Sequence, residues 1–158
     1  VKIALSPYAA KLPENRCNPK DYPYFPELVA MLNADGHEVV QIGVTGESRI
    51  EGVGQFIQNW PLDKLVEVVR ECDTWCSVDS FLPHFCWLHH LKPGVVIWGQ
   101  SDPTIWGHPQ NVNLIKSHAY LRQWQFAPWW DAEYREDVFV GPEAVRDAIY
   151  GLLHLKAA

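Results

Sequence analysis

The sequence has little of what marks several classes of protein. Positive charge is in deficit: 13 lysines and arginines against 19 acidic residues give a formal net charge of −6. That argues against general nucleic-acid binding, because phosphate backbones reward basic surfaces. No apolar run approaches the roughly 20 residues that cross a bilayer. No secretory leader is read, since the chain opens directly on an apolar strand, and a cytoplasmic location is expected. Cysteines are few, and Cys17, Cys72, Cys76 and Cys86 lack the paired short spacing of zinc ribbons. Cys72 and Cys76 straddle a helix-to-strand junction and read as buried free thiols. His84, Cys86, His89 and His90 lie close in sequence. Adjacent His89 and His90 face different directions on a helix, so no metal site is read there, and no cofactor. Internal repeats and low-complexity segments are absent.

What the chain has is the composition of one globular domain: 158 residues, 47% hydrophobic and 20% charged. Val1 to Leu5 reads as a strand, followed by a proline-rich loop from Ser6 to Pro23 whose length marks it as functional or disordered. Phe25 to Ala34 reads as a helix stopped by Gly36. His37 to Ile42 is a second strand, ending in the loop Gly43 to Glu47. A short segment around Phe56 and Ile57 follows. Pro61 then opens a helix whose Leu62, Leu65, Val66 and Val69 repeat at the spacing of one buried face. Thr74 to Val78 is a strand, Leu82 to Leu91 a helix, and Gly94 to Trp98 an apolar strand suited to the interior of a parallel sheet. From about residue 99 to 137 the chain is loop-rich and aromatic. A last helix, about 142–155, carries a stripe of Val145, Ile149, Leu152 and Leu153. This alternation predicts an α/β fold: a Rossmann-like three-layer sandwich with a mostly parallel sheet, in a single domain over 1–158.

The chemistry concentrates where the strand Thr74 to Val78 gives way to a helix. Asp79 and Ser80 arrive at the strand's carboxyl end, where the helix offers unpaired N–H groups and the positive end of its dipole. His84 follows one turn later. Such a junction suits a phosphate or diphosphate, and open α/β sheets bind ligands beyond the carboxyl ends of their strands. The alternative is that Ser80 only caps the helix and His84 packs on the surface.

Several separated motifs match one family in the right order. Val78-Asp79-Ser80 with His84 is similar to the V-D-[ST]-G-x-x-H signature of the heptosyltransferase-like glycosyltransferases. Gly99-Gln100-Ser101-Asp102-Pro103 looks like their G-P-[ST]-D-P loop, and Lys20-Asp21-Tyr22-Pro23 resembles their K-x-W-P segment. Gly43 through Glu47 looks like their loop ending in glutamate, and Pro61-Leu62-Asp63-Lys64-Leu65 sits where they have an L-x-x-L helix. The chain thus resembles the carboxyl-terminal, donor-binding half of that two-domain (GT-B) architecture, over about Val1 to Asp102. Phe81 and Gln100 stand where the motifs have glycine and proline.

The resemblance implies a nucleotide-sugar site. Lys20 would neutralise the donor diphosphate, Glu47 would meet the ribose or base, and Asp79 the sugar hydroxyls. Ser80 and His84 would lie beside the phosphates, with Ser6, Ser101 and Asp102 completing the donor set. His84 and Asp79 are the catalytic candidates. On their own, Lys20 and Glu47 read better as solvated loop charges. Implied partners are a nucleotide-sugar or related nucleotide, and a second copy of the chain or a separate acceptor-binding subunit. Competing readings are a non-catalytic nucleotide or sugar-nucleotide module or protein-interaction domain derived from a glycosyltransferase, and a hydrolase using Asp79 or Asp102 as base. The aromatic run of Trp98, Trp106, Tyr120, Trp124, Phe126, Trp129 and Trp130 suits a partner surface or sugar stacking, or else a satellite core. His108, Gln110, Asn111 and Asn113 nearby can line a polar pocket, without assigned roles.

Overall fold

The computed structural model describes residues 1–155. Its elements are β1 (Lys2–Ser6), α1 (Phe25–Ala34), β2 (Glu38–Gly43), β3 (Gln55–Gln58), α2 (Leu62–Glu71), β4 (Thr74–Val78), α3 (Phe81–Leu88), β5 (Val95–Trp98), α4 (Pro103–Trp106), β6 (Val112–Ile115) and α5 (Pro142–Leu153). The strands form one sheet in the order β3-β2-β1-β4-β5-β6, with every pairing parallel. Strand order therefore reverses between β1 and β4, where Ser6 lies beside Ser77. This is the topological switch point of a doubly wound sheet.

Alternate side chains of each central strand feed two cores. Ile3 and Leu5 of β1 join Leu28, Leu32, Val145 and Ile149 beneath α1 and α5. Ala4, between them, faces Val69, Trp75 and Phe85 on the side of α2 and α3. β4 and β5 are buried along their whole length, as the apolar reading of Gly94 to Trp98 anticipates. Trp75 is fully buried, and its Nε1 donates to the Lys92 carbonyl at 2.8 Å. Gly94 packs against that indole so closely that an added Cβ would overlap the ring. Tyr150 of α5 donates to Asp35 at the end of α1 at 2.6 Å, tying the two helices together.

The sequence reading differs from the structure in four places. The helix read as Leu82 to Leu91 is α3, Phe81–Leu88, so His89 and His90 lie beyond it, His90 with a left-handed φ of 50° that no helix continues. On α2 the buried residues are Leu65, Val68 and Val69, whereas Leu62 is exposed. Leu62 is the first residue of the helix, directly after Pro61, where the apolar stripe begins. On α5, Tyr150 takes a core place beside Val145 and Ile149, while Leu152 and Leu153 are partly buried. The region 99–137, expected as loop, contains α4, edge strand β6 and two 3₁₀ turns, His118–Tyr120 and Trp129–Asp131.

Candidate functional site

The candidate site residues lie on segments that follow the carboxyl ends of β1, β2, β4 and β5. At the switch point the β1 loop reaches across to β4: Lys20 Nζ meets Asp79 Oδ2 at 2.8 Å. Asp79 is nearly buried, with its side chain 7% exposed against 22% for Lys20. The loop that carries Lys20 is ordered by its own polar side chains. Asn18 Nδ2 donates to the Ala10 carbonyl at 2.8 Å, and the Lys20 amide donates to Asn18 Oδ1 at 3.0 Å. Asp21 Oδ1 accepts the Ala9 amide at 2.8 Å. Tyr22 and Tyr134 add long-range ties, donating to the Val140 and Asp21 carbonyls. An otherwise long connection is thereby closed with its buried backbone groups paired.

Lys20, Asp79 and His84 border one cavity of about 240 Å³. Its other walls come from the aromatic region: Trp106, Phe126 and Trp129, with Gln125. Trp106 and Phe126 meet edge to face at 5.0 Å. Trp129 has Lys20 Nζ at 5.2 Å from its ring and the Arg122 guanidinium at 4.1 Å, both cation–π contacts. Gln125 pins this wall, accepting the Asp102 amide at 2.8 Å and donating to the Gln100 carbonyl at 3.0 Å. His84 Nδ1 lies 2.9 Å from His108 Nε2, and the His108 ring stacks on Trp87. A carboxylate, an ammonium and an imidazole beside aromatic rings can hold a hydroxylated, negatively charged ligand.

Glu47 and Ser6 lie elsewhere on the rim. The larger cleft, about 500 Å³, runs between the β1 and β2 loops and is bordered by Tyr8, Lys11, Cys17, Asp21 and Glu47. A smaller one of about 260 Å³ shares Tyr8, Val44 and Glu47 with it and adds Ser6, Trp60 and Phe81. Glu47 folds back to accept the Val44 amide at 3.1 Å. Burial raises its pKa, against the lowering effect of that N–H. Burial likewise raises Asp21, against the N–H groups it accepts. Cys17, which donates to Asp21 Oδ2, is pushed up to about 11 by burial and by the Asp21 charge.

The eight donor-set residues thus fall into three groups. Lys20, Asp79 and His84 come together, and Ser6 and Glu47 line the neighbouring cleft. Ser80, Ser101 and Asp102 line neither. Ser80 stands at the N-cap of α3 but makes no side-chain cap; its Oγ instead donates to the Val78 carbonyl and lies 3.3 Å from Ser77 Oγ. Ser101 is buried. The Asp102 carboxylate caps α4, accepting Thr104 N at 2.8 Å and Thr104 Oγ1 at 2.7 Å. Of the aromatic run, Trp98 is core, whereas Trp124 and Phe126 are 71% and 78% exposed. Gln125 and His108 reach the site unannounced by any motif. Only the fold of the 99–137 region brings them to α3 and the β4 end.

A six-stranded parallel sheet in this order, with side chains gathered over its switch point, defines a Rossmann-like α/β fold. Solved structures share it. A glycosyltransferase family 9 protein from Veillonella parvula DSM 2008 is similar over 98% of this chain and 46% of its own, with a TM-score of 0.70 and 18% identity. The iron-containing dodecameric glycosyltransferase TibC from enterotoxigenic E. coli H10407 is similar over 89% of this chain and 36% of its own, at TM-score 0.60 and 16% identity. TibC in complex with ADP-D-beta-D-heptose gives a TM-score of 0.60 at 15% identity, over 97% and 44%. The chain spans less than half the length of each. At these identities the likeness is one of fold. Neither a protein-family model nor a curated protein matches the chain.

Proposed function

We propose that this chain binds a nucleoside-diphosphate sugar along the carboxyl ends of its strands and serves as the donor half of a glycosyltransferase. The observation that carries the reading is the Lys20–Asp79 pair bridging the switch point beside His84, in a cavity walled by Trp106, Phe126 and Trp129. The adjoining cleft, with Tyr8 and Glu47, takes the nucleoside, whose ribose hydroxyls suit the Glu47 carboxylate. The diphosphate lies near Lys20 and His84, with α3 opening toward it. The sugar packs on the aromatic wall, and Asp79 accepts its hydroxyls. Transfer is then helped by stabilising the departing diphosphate with Lys20 and His84, the latter as proton donor. Excluding water requires a further protein surface over the crevice, from a second copy or an acceptor-binding subunit. Exposed Trp124, Phe126 and Trp130 at the rim suit that role.

A second reading, a non-catalytic sugar-nucleotide module, draws support from Phe81. It opens α3 where a glycine would admit phosphate to the backbone, and its ring borders the smaller cleft. Calorimetric titration with ADP, UDP, GDP and CMP and their linked sugars tests both. ADP and ADP-heptose come first, since one fold neighbour was crystallised with the latter. Binding with release of nucleotide in the presence of acceptors supports the transferase; binding without turnover supports the module. Absence of binding by every nucleotide at millimolar concentration overturns both.

A further inference from the structure

We infer that His108 is the positioning residue for His84: it holds the shared proton on His84 Nδ1 and leaves Nε2 as the nitrogen that works in the cavity. The inference rests on the donor-site reading for its functional meaning, while its structural content stands alone.

His84 Nδ1 and His108 Nε2 are 2.9 Å apart, with the rings nearly perpendicular. Two imidazole nitrogens at that distance share one proton, so one ring donates and the other accepts. The acceptor is His108, because a His84 that donates a proton from Nε2 to a ligand carries hydrogen on both nitrogens, and the His108 Nε2 facing its Nδ1 then has to accept. The lowering of the His108 pKa, first by burial and then by the neighbouring His84 charge, favours the same arrangement. A neutral His108 that accepts at Nε2 carries its own proton on Nδ1.

The acceptor is also firmly mounted. Its ring stacks on Trp87 with 12° between the planes. Its carbonyl accepts the Asn111 amide and Asn113 Nδ2, and Asn113 Oδ1 accepts Trp98 Nε1 from the core at 2.9 Å. Gly107, just before it, passes so close to the Pro103 carbonyl that a Cβ would collide. His108 is therefore anchored to β5 and β6, while His84 rides on α3.

With Nδ1 occupied, Nε2 is the His84 nitrogen left to face the cavity. The charged groups there are Lys20 and Asp79, which neutralise one another, so the imidazole is free to serve an incoming phosphate. In the neutral ring Nε2 is a lone pair; in the protonated ring it is an N–H aimed at the ligand, while Nδ1 stays on His108. A free neutral imidazole prefers its proton on Nε2, so the pair enforces the less favoured tautomer. That orientation by a partner on the opposite nitrogen is how enzymes fix the working face of a histidine.

Long-range ¹H–¹⁵N imidazole spectra of the full chain, at about pH 8 where histidines are neutral, test this without any ligand. The expected result is His84 protonated on Nδ1 in the native chain. His108→Phe keeps the stacking on Trp87 but removes the acceptor, and His84 should revert to the Nε2–H form. His108→Gln offers an amide oxygen and should restore the Nδ1–H form. In parallel, ADP affinity should fall by about three- to tenfold in His108→Phe and recover in His108→Gln. A native His84 carrying its proton on Nε2, or a tautomer indifferent to both substitutions, overturns the inference. So does a stoichiometric divalent metal found bridging the two rings. If the tautomer changes as expected while ADP binds to no form of the chain, the positioning role stands and the donor-site reading falls.

Discussion

Lys20 and Asp79 form an ion pair that joins the loops after the two strands flanking the switch point. One partner comes from the longest connection in the first half of the fold, the other from the end of a fully buried strand. Each therefore depends on the other to keep a charge in a largely water-excluded place. Lys20→Ala should weaken ADP binding by about 1.5–3 kcal/mol, the range for a charge-assisted hydrogen bond. It should also destabilise the fold, because the Asp79 carboxylate is left alone. Calorimetry and urea denaturation separate the two, and a cycle with Asp79→Asn isolates the pair. Unchanged affinity in Lys20→Ala removes Lys20 from the phosphate site.

Gly43 offers a probe of the neighbouring cleft. A Cβ there would strike the Glu47 carboxylate, a movable side-chain end, and press lightly on Phe56. Gly43→Ala should thus displace Glu47 and reduce nucleotide affinity by severalfold, with stability changed by less than about 1 kcal/mol. A large loss of stability with unaltered affinity would contradict Glu47's place in the nucleoside site.

Gly94→Ala makes the converse case. The added methyl overlaps the buried Trp75 indole, which can yield only by breaking its bond to the Lys92 carbonyl. The expected cost is about 1–3 kcal/mol, read from the shift in urea midpoint. Nucleotide affinity should be retained in the folded fraction.

Asp21 sets a pH dependence of unusual sign. Burial holds its carboxyl above the ordinary 3.8 in the folded chain. The folded state then keeps a proton that the unfolded chain releases, so Asp21's contribution is greatest below the unfolded pKa and declines as pH rises through the folded one. Asp21→Asn retains an acceptor for the Ala9 amide and should remove this decline, flattening stability on the side above the ordinary aspartate value in a urea series. The same substitution tests Cys17. Its thiol, pushed up to about 11, should alkylate slowly at neutral pH although it is exposed, and faster once the Asp21 charge is gone.

The sheet was readable from sequence because its central strands are short apolar runs between turn signals. The last helix was readable from its apolar stripe, whereas Phe56 and Ile57 read only as a short segment and prove to lie in edge strand β3. β6 was not, because Val112-Asn113-Leu114-Ile115 carries a polar residue at its centre and sits at an edge, half-buried throughout. Leu62 fits a helical stripe by spacing, yet as the first residue of its helix it stays exposed. At the site, motif likeness located Lys20, Asp79 and His84, which the fold brings to one cavity. It grouped Ser101 and Asp102 with them, but one is enclosed and the other is taken up by α4. His108 and Gln125 follow no local pattern, since their partners are 24 and 23 residues away along the chain.

β1 comes before β4 in chain order, yet both lie in the middle of the sheet. β1 pairs with β2 on one side and β4 on the other, and Lys2 bonds to Asp73 from 71 residues away. Parallel pairing leaves no hairpin from which such a strand can zip up locally. On a ribosome adding about 5–20 residues per second, β1 waits roughly 4–14 s for β4 to emerge, with Ile3 and Leu5 uncovered. Recovery on refolding should therefore depend on protein concentration more than on final stability, because the competing event is another chain's β1 meeting the same open edge.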